Sequence, residues 1–143
     1  MREIFAIIIS GLVGMFSLSA IAAEPINIAA IFAKTGIAAK SNAPHVQMVE
    51  FSVEEINNQG GLLGRPIKLI ILDNKSSPIG SSMAARKAVQ LGVPAVIGAA
   101  WSSHSLQIAP ILQQAKISMI TGSSTNPKVT RFGNYVFRTC FID

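Results

Sequence analysis

Short apolar runs of strand character take turns with segments of helical periodicity along this chain, and that alternation restricts its fold more than any other feature. Ile26–Phe32, Pro66–Leu72, Val93–Gly98 and Ile117–Ile120 read as short buried strands. Between the first two, Val46, Val49, Val53 and Ile56 recur at helical spacing, with Gln47, Glu50, Glu54 and Glu55 off that stripe. Ala84, Ala88 and Leu91 form a small-residue stripe suited to close packing on a sheet. Leu106, Ala109 and Leu112 mark a third helix from about Ser103 to Ala115, and Asn134–Thr139 reads as a fifth strand. The order βαβαβαβ with a final β predicts the α/β class, a doubly wound parallel sheet with helices on both faces.

Local signals place the helix ends. Asn42 as a cap and Pro44 in the first turn are expected to open the first helix, and Asn57–Gly61 to end it. Ser76-Ser77-Pro78 opens the second. Pro110 should kink the third or remove the backbone bond opposite Leu106. Gly60-Gly61-Leu62-Leu63-Gly64 has the glycine content of a phosphate cradle, but such a turn must follow a strand and open a helix. This one does the reverse and reads as a connector.

The N-terminus reads as a secretory signal peptide, residues 1–23. Arg2 is followed by an apolar run, Ile4–Leu18, and by the small residues Ser19–Ala23, with cleavage expected after Ala22 or Ala23. A membrane anchor is the competing reading, but the run falls short of the ~20 residues a span needs, and Glu24-Pro25 follow at once. No stable membrane insertion is expected after cleavage. The remainder, residues 24–143, is long enough for one small domain.

Half of the residues are hydrophobic and 13% charged, a globular composition. The net charge of +5 comes from basic residues scattered between Lys34 and Arg138. A nucleic-acid surface needs a clustered patch with a reading element, so no nucleic-acid partner is expected. The lone Cys140 cannot form an internal bridge and reads as a packed thiol or a site of intermolecular pairing. The two histidines, His45 and His104, lack partners at ligand spacing and are expected to be exposed near helix starts. No metal, cofactor or catalytic group is indicated.

Two strand ends carry the functional signal. Val93–Gly98 opens into Ala100-Trp101-Ser102-Ser103-His104-Ser105, and Ile117–Ile120 into Thr121-Gly122-Ser123-Ser124-Thr125-Asn126-Pro127. Ligands of open α/β sheets bind beyond the carboxyl ends of the strands. Hydroxyls and backbone amides there suit the holding of a small polar molecule rather than its transformation. An enzyme would need a titratable group at a strand end, and only Asp73 qualifies.

Three collinear segments resemble type 1 periplasmic binding proteins of the leucine/isoleucine/valine-binding branch. Asn57-Asn58-Gln59-Gly60-Gly61-Leu62-Leu63-Gly64-Arg65-Pro66-Ile67 is similar to that family's N-x-x-GG-x-x-G-R-x-[IL] segment. Val96-Ile97-Gly98 with Trp101–Ser105 resembles its ligand loop. Ser124–Pro127, Thr130 and Tyr135–Thr139 resemble the run after its second ligand loop. The resemblance implies a binding protein that hands an amino acid, branched-chain or similar, to an ABC permease complex from the periplasm. The family has two α/β lobes, and this chain stops at Asp143, before the first crossover; it is expected to be most of the N-terminal lobe alone. A cysteine pair of some members is replaced here by Asn74 and Trp101.

Carried over by position, the resemblance makes Ser102 a hydroxyl donor to the ligand carboxylate at a helix N-terminus, beside Ser103. Ser123 offers its carbonyl to the ligand ammonium, and Thr125 its hydroxyl and amide. Trp101 lies at the cleft, able to cover the aliphatic part of a ligand. Ser41 falls where an aromatic often contacts the ligand side chain, which leaves specificity open. Other roles are compatible with each residue: helix capping for Ser102 and Ser103, a turn for Thr125, core packing for Trp101. A sensory domain of the same fold and an inactive remnant are the alternative readings of the whole chain.

Overall fold

The computed structural model describes residues 23–143, so the expected signal peptide lies outside the described residues except for Ala23. The elements follow the expected order: β1 Ile26–Phe32, α1 Ala39–Asn58, β2 Ile67–Asp73, α2 Pro78–Gln90, β3 Ala95–Gly98, α3 Ser102–Gln114, β4 Ser118–Thr121, a 3-10 turn Pro127–Arg131 and β5 Val136–Arg138. The five strands form one sheet in the order β2-β1-β3-β4-β5, every pair parallel. The order reverses direction after β2, which places the ends of β1 and β3 at a topological switch point.

Register explains the core. Ile70, Ala29, Val96, Met119 and Val136 stand in one row across the sheet, and the next row is Ile71, Ala30, Ile97, Ile120 and Phe137. Successive side chains on a strand point to opposite faces, so the two rows belong to different layers. On the first face, Ala84, Ala85 and Ala88 of α2 and Ile108, Ala109 and Leu112 of α3 close over the sheet, with Val129 of the 3-10 turn. Leu91, expected in the α2 stripe, instead follows the helix and is exposed. On the second face, among the described residues, only α1 packs, through Val46 and Val49 against Ala30, Phe32, Leu69, Ile71 and Ile97. Beyond its reach Ile120 and Phe137 stay 41% and 50% exposed.

The start of α1 differs from expectation for a tertiary reason, and two further positions show what their local signals do in the fold. Helix α1 begins at Ala39, one turn before the expected cap, and Asn42 lies inside it, fully buried. Its Oδ1 accepts the Ala33 amide at 3.1 Å, tying the helix to the end of β1. Asn57 does more than end the helix: Oδ1 accepts the Ile67 amide at 2.7 Å and Nδ2 donates to the Ile67 carbonyl at 2.9 Å. The side chain thus stands in for a neighbouring strand at the start of the edge strand β2. Helix α3 runs unbroken through Pro110, so the proline costs a bond without ending the helix. Helix α2 starts as expected, with Ser77 Oγ accepting the Gly80 amide at 2.9 Å.

The Gly60–Gly64 segment is a connector, as expected. Leu62 and Arg65 bond reciprocally across Leu63-Gly64, and a side chain at Gly61 would meet the Arg65 carbonyl oxygen at 2.1 Å. No helix among the described residues is long and apolar enough to cross a membrane.

Asn57→Ala removes both bonds to Ile67 and leaves its backbone groups unpaired. It is expected to destabilise the chain by about 1–3 kcal/mol, read as a lower denaturant midpoint in equilibrium unfolding. An unchanged midpoint would mean that solvent replaces the side chain without loss.

Candidate functional site

The loops after β3 and β4 are joined by a closed set of buried hydrogen bonds. The Ala99 amide donates to Ser105 Oγ at 3.1 Å, Ser105 Oγ lies 2.7 Å from Ser124 Oγ, and Ser124 Oγ donates to the Ala99 carbonyl at 3.0 Å. Thr121 Oγ1 fills the second lone pair of that carbonyl at 2.6 Å and accepts the Ser124 amide at 3.3 Å. With the Ser105 proton directed to Ser124, every donor in the ring has an acceptor. Arg138 of β5 braces the second loop from below. Its Nη1 reaches the carbonyls of Ser124, Thr125 and Asn126 at 2.9–3.0 Å, and Nη2 donates to Thr130 Oγ1 at 2.8 Å. The sequence reading missed Thr121, Ser105, Ser124 and Arg138 as determinants of the site. The hydroxyls were visible as part of both polar loops, but nothing local separates buried from exposed ones. Gly98, at a φ of +120°, turns β3 into its loop with no room for a side chain, since a Cβ would meet the Ile31 carbonyl oxygen at 2.3 Å.

On this frame the expected residues come together at the carboxyl ends of β3 and β4. Trp101, not a serine, holds the N-cap position of α3, and its carbonyl accepts the amides of His104 and Ser105. Ser102 is therefore not a cap. Its Oγ accepts the Asn126 amide at 3.1 Å, which bridges the two loops and leaves its own proton free to donate. Ser103 is exposed. Among the described residues no acceptor meets the amides of Ser102 and Ser103, the positive end of the helix. Ser123 Oγ donates to the Ala100 carbonyl at 2.9 Å. Thr125 directs its hydroxyl to the Asp143 carboxylate, so the amide rather than the hydroxyl is its open group. Ser41 bonds back to the Ala38 carbonyl at 3.0 Å.

Trp101 is 40% exposed and stacks on His104, with centroids 5.4 Å apart and planes at 20°. It is not a core aromatic. His104, expected to be exposed, is buried: Nδ1 lies 3.2 Å from Asn74 Nδ2, and the Ser76 backbone bonds to the ring. Burial pushes the imidazole below its ordinary value of 6.5, and the Ser76 bond only partly opposes it. Asn74 and Trp101, where the resemblance implies a cysteine pair in some members, are thus linked through His104. His45 is half-buried rather than exposed.

Asp73 is a strut. It accepts from the Lys34 amide, the Thr35 amide and hydroxyl, and the Lys75 amide, at 2.6–3.3 Å. Burial alone would raise its pKa, but these bonds, led by the Thr35 hydroxyl, outweigh it and hold the carboxyl below the usual range. Oδ1 takes the three amides and Oδ2 the Thr35 hydroxyl, so the carboxylate ties the loop after β1 to the end of β2. A surface depression of about 480 Å³ lies between β2 and α2, lined by Leu72, Asp73, Met83 and Arg86 among others, away from the β3 and β4 loops. At the β3 and β4 loops, Trp101 and Ser103 are exposed, so this face is open to solvent. No cluster of three metal-ligating side chains occurs among the described residues.

A family model described as periplasmic binding protein matches residues 25–141. The chain belongs to that family, and its fold is that of the type 1 members. It is 30% identical over 133 residues to the Leu/Ile/Val-binding protein BraC3 of Rhizobium johnstonii, covering 92% of this chain and 36% of that protein. It is 31% identical over 129 residues to the leucine-, isoleucine-, valine-, threonine- and alanine-binding protein of Pseudomonas aeruginosa, covering 90% and 35%. Among solved structures, the branched-chain amino acid transporter substrate-binding protein LivJ of Streptococcus pneumoniae, in complex with isoleucine, superposes with a TM-score of 0.80 at 28% identity, covering 83% of this chain and 34% of that one. A leucine-binding protein of Thermotoga maritima gives 0.72 at 36% identity, covering 82% and 33%. The chain spans about a third of the length of these relatives.

Folded His104 takes up a proton less readily than an unfolded histidine, whose ordinary pKa is 6.5, so the unfolded chain protonates first as pH falls. Stability should therefore drop below that pH, and His104→Gln should lose this part of the slope. Denaturant midpoints of both proteins between pH ~7.5 and ~5 check it. Parallel curves would show that burial does not disfavour the charged ring.

Proposed function

We propose that the chain forms the solute-binding face of a periplasmic amino-acid-binding protein, and that it captures a branched-chain or similar amino acid for an ABC importer. On this reading residues 1–23 are a signal peptide, and 24–143 are most of an N-terminal lobe that works against a second lobe. The amino acid's carboxylate sits on the Ser102 hydroxyl and the amides of Ser102 and Ser103. Its ammonium sits on the Ser123 carbonyl, the Thr125 amide adds a further donor, and Trp101 covers the aliphatic part.

The observation that carries this reading is the pairing of the two loops. Ser102 bridges to Asn126 and still has a proton to give, beside two amides at a helix N-terminus that are unpartnered among the described residues. Donors fixed in place and already desolvated on one side favour an anionic group without reorganisation. Neither Ser102 nor Ser123 is hydrogen-bonded to a carboxylate, lysine or arginine among the described residues, so the face suits a zwitterion held by dipoles. The relatives named above as leucine-, isoleucine- and valine-binding proteins support the ligand class.

Titration of the purified chain with isoleucine, leucine and valine, followed by amide NMR, should move the Ser102, Ser103, Ser123 and Thr125 resonances. In a protein completed by the second lobe, Ser102→Ala should weaken binding about ten- to a hundredfold, the loss of one hydrogen bond to a charged group. Thr125→Ala should cost less, because Asp143 already holds its hydroxyl. Unmoved strand-end amides in a folded chain, together with undiminished affinity in Ser102→Ala, would reject the assignment.

Export is tested separately. Fractionation of a bacterial host should recover a periplasmic species shortened by about 22–23 residues, as the cleavage-site rule implies. Full-length product in the cytoplasm would overturn it.

A further inference from the structure

Helix α1 contributes one polar side chain to the strand-end loops, and it is not among the residues that the sequence singled out for binding. His45 Nε2 lies 3.3 Å from Ser123 Oγ, and the ring stacks on Phe32 at the end of β1, with centroids 5.8 Å apart. The Ser123 hydroxyl also lies 2.9 Å from the Ala100 carbonyl, which can only accept. Its single proton is therefore committed to Ala100, and toward His45 its oxygen is an acceptor. Nε2 must carry the imidazole proton. The other nitrogen fits this assignment: Nδ1 is buried with no partner among the described residues, and a bare lone pair there costs less than an orphaned N–H donor would. The result is a directed relay, His45 Nε2–H to Ser123 Oγ–H to Ala100 carbonyl, running from α1 through the β4 loop into the β3 loop.

We propose that His45 is a positioning residue of the amino-acid site, which through the Ser123 hydroxyl holds the Gly122–Ser123 backbone against the N-terminus of α3. The inference rests on the functional reading given above, because the Ser123 carbonyl is the group assigned to the ligand ammonium. It extends that site to α1, the helix that covers its own face of the sheet, and it gives the Phe32–His45 stack a purpose beyond packing. The Ser105–Ser124 ring fixes the buried side of the β4 loop; His45 fixes the side that faces the ligand.

Two variants separate the donor from the ring. His45→Phe keeps an aromatic over Phe32 and removes the donor, whereas His45→Gln can place an amide N–H where Nε2 stands. In the intact chain, nitrogen-15 NMR of the imidazole should show the proton on Nε2. The Gly122 and Ser123 amide resonances should move in His45→Phe and return toward wild type in His45→Gln. Isoleucine binding, followed in the same spectra, should weaken about three- to tenfold in His45→Phe and recover in His45→Gln, the size expected for one neutral hydrogen bond. Wild-type affinity in His45→Phe would overturn the positioning role while leaving the amino-acid reading intact. If none of the amino acids binds even to the wild type, that reading fails by itself, and the relay is still decided by the spectra. A proton on Nδ1, or unmoved loop amides in His45→Phe, would refute it.

Discussion

The carbonyl of Ala99 is the point on which the site is built. Both of its lone pairs are taken by hydroxyls from the end of β4 and the loop after it, Thr121 and Ser124, and its own amide closes the circuit through Ser105. Two strand ends that are neighbours in a parallel sheet have no covalent reason to keep their loops in register. Here buried hydroxyls supply it. Each would be costly to leave unpaired in the interior, so the ring forms as a whole or not at all. The outer residues inherit its precision: Ser102 reaches the Asn126 amide, and the Ser102 and Ser103 amides stay open. Ser105 thus acts on the site without being available to any ligand.

The fold was legible because its causes are local or periodic. The β1 residues Ile26–Phe32 form an apolar run bounded by Pro25 and a loop, and the strand occupies those residues. Strand–helix alternation dictates parallel pairing, since a βα unit must return its next strand in the same direction. The meeting of the two polar loops was legible for the same reason: neighbouring strand ends followed by Ser- and Thr-rich loops can be read directly. The partners of individual side chains could not be read. His104 resembled an exposed helix-start residue because its bonds go to Asn74 and Ser76, far earlier in the chain. Asn42 looked like a local helix opener and Asn57 like a local terminator, yet Asn42 bonds the backbone just past β1 and Asn57 the start of β2, nine and ten residues away. Arg138 counted as one more scattered surface charge, although it gathers three carbonyls of the β4 loop. Local propensity and long-range bonding use the same residue types, and spacing cannot tell them apart.

The two faces of the sheet are unequally covered. Helices α2 and α3 seal the row from Ile70 to Val136, whereas α1 seals only the β2, β1 and β3 portion of the other row. Ile120 and Phe137 continue that row into solvent. The buried side of the two loops is braced from the sealed side, where Ser105 belongs to α3 and Arg138 reaches Thr130 of the 3-10 turn, while His45 reaches Ser123 from the part of the second face that α1 covers. The open face therefore bears on the stability of the sheet more than on the geometry of the ligand groups.

The same separation shapes what an open binding face can achieve. A small-molecule site usually buries most of its ligand's surface, and only then does apolar contact add to polar recognition. On the proposed reading, the Ser102–Ser103 amides and the Ser123 carbonyl provide recognition of the zwitterion, and Trp101 provides one apolar wall. A ligand resting there keeps its other side in water, so its hydrogen bonds compete with solvent and gain little from a low dielectric. Closure by a facing lobe would strengthen each existing bond by excluding water, without adding any group to this face. The donors are already in place before closure, held by the hydroxyl ring and by His45. A second lobe would then contribute desolvation and the remaining contacts, while the orientation of the amino acid is set on the face that this chain forms.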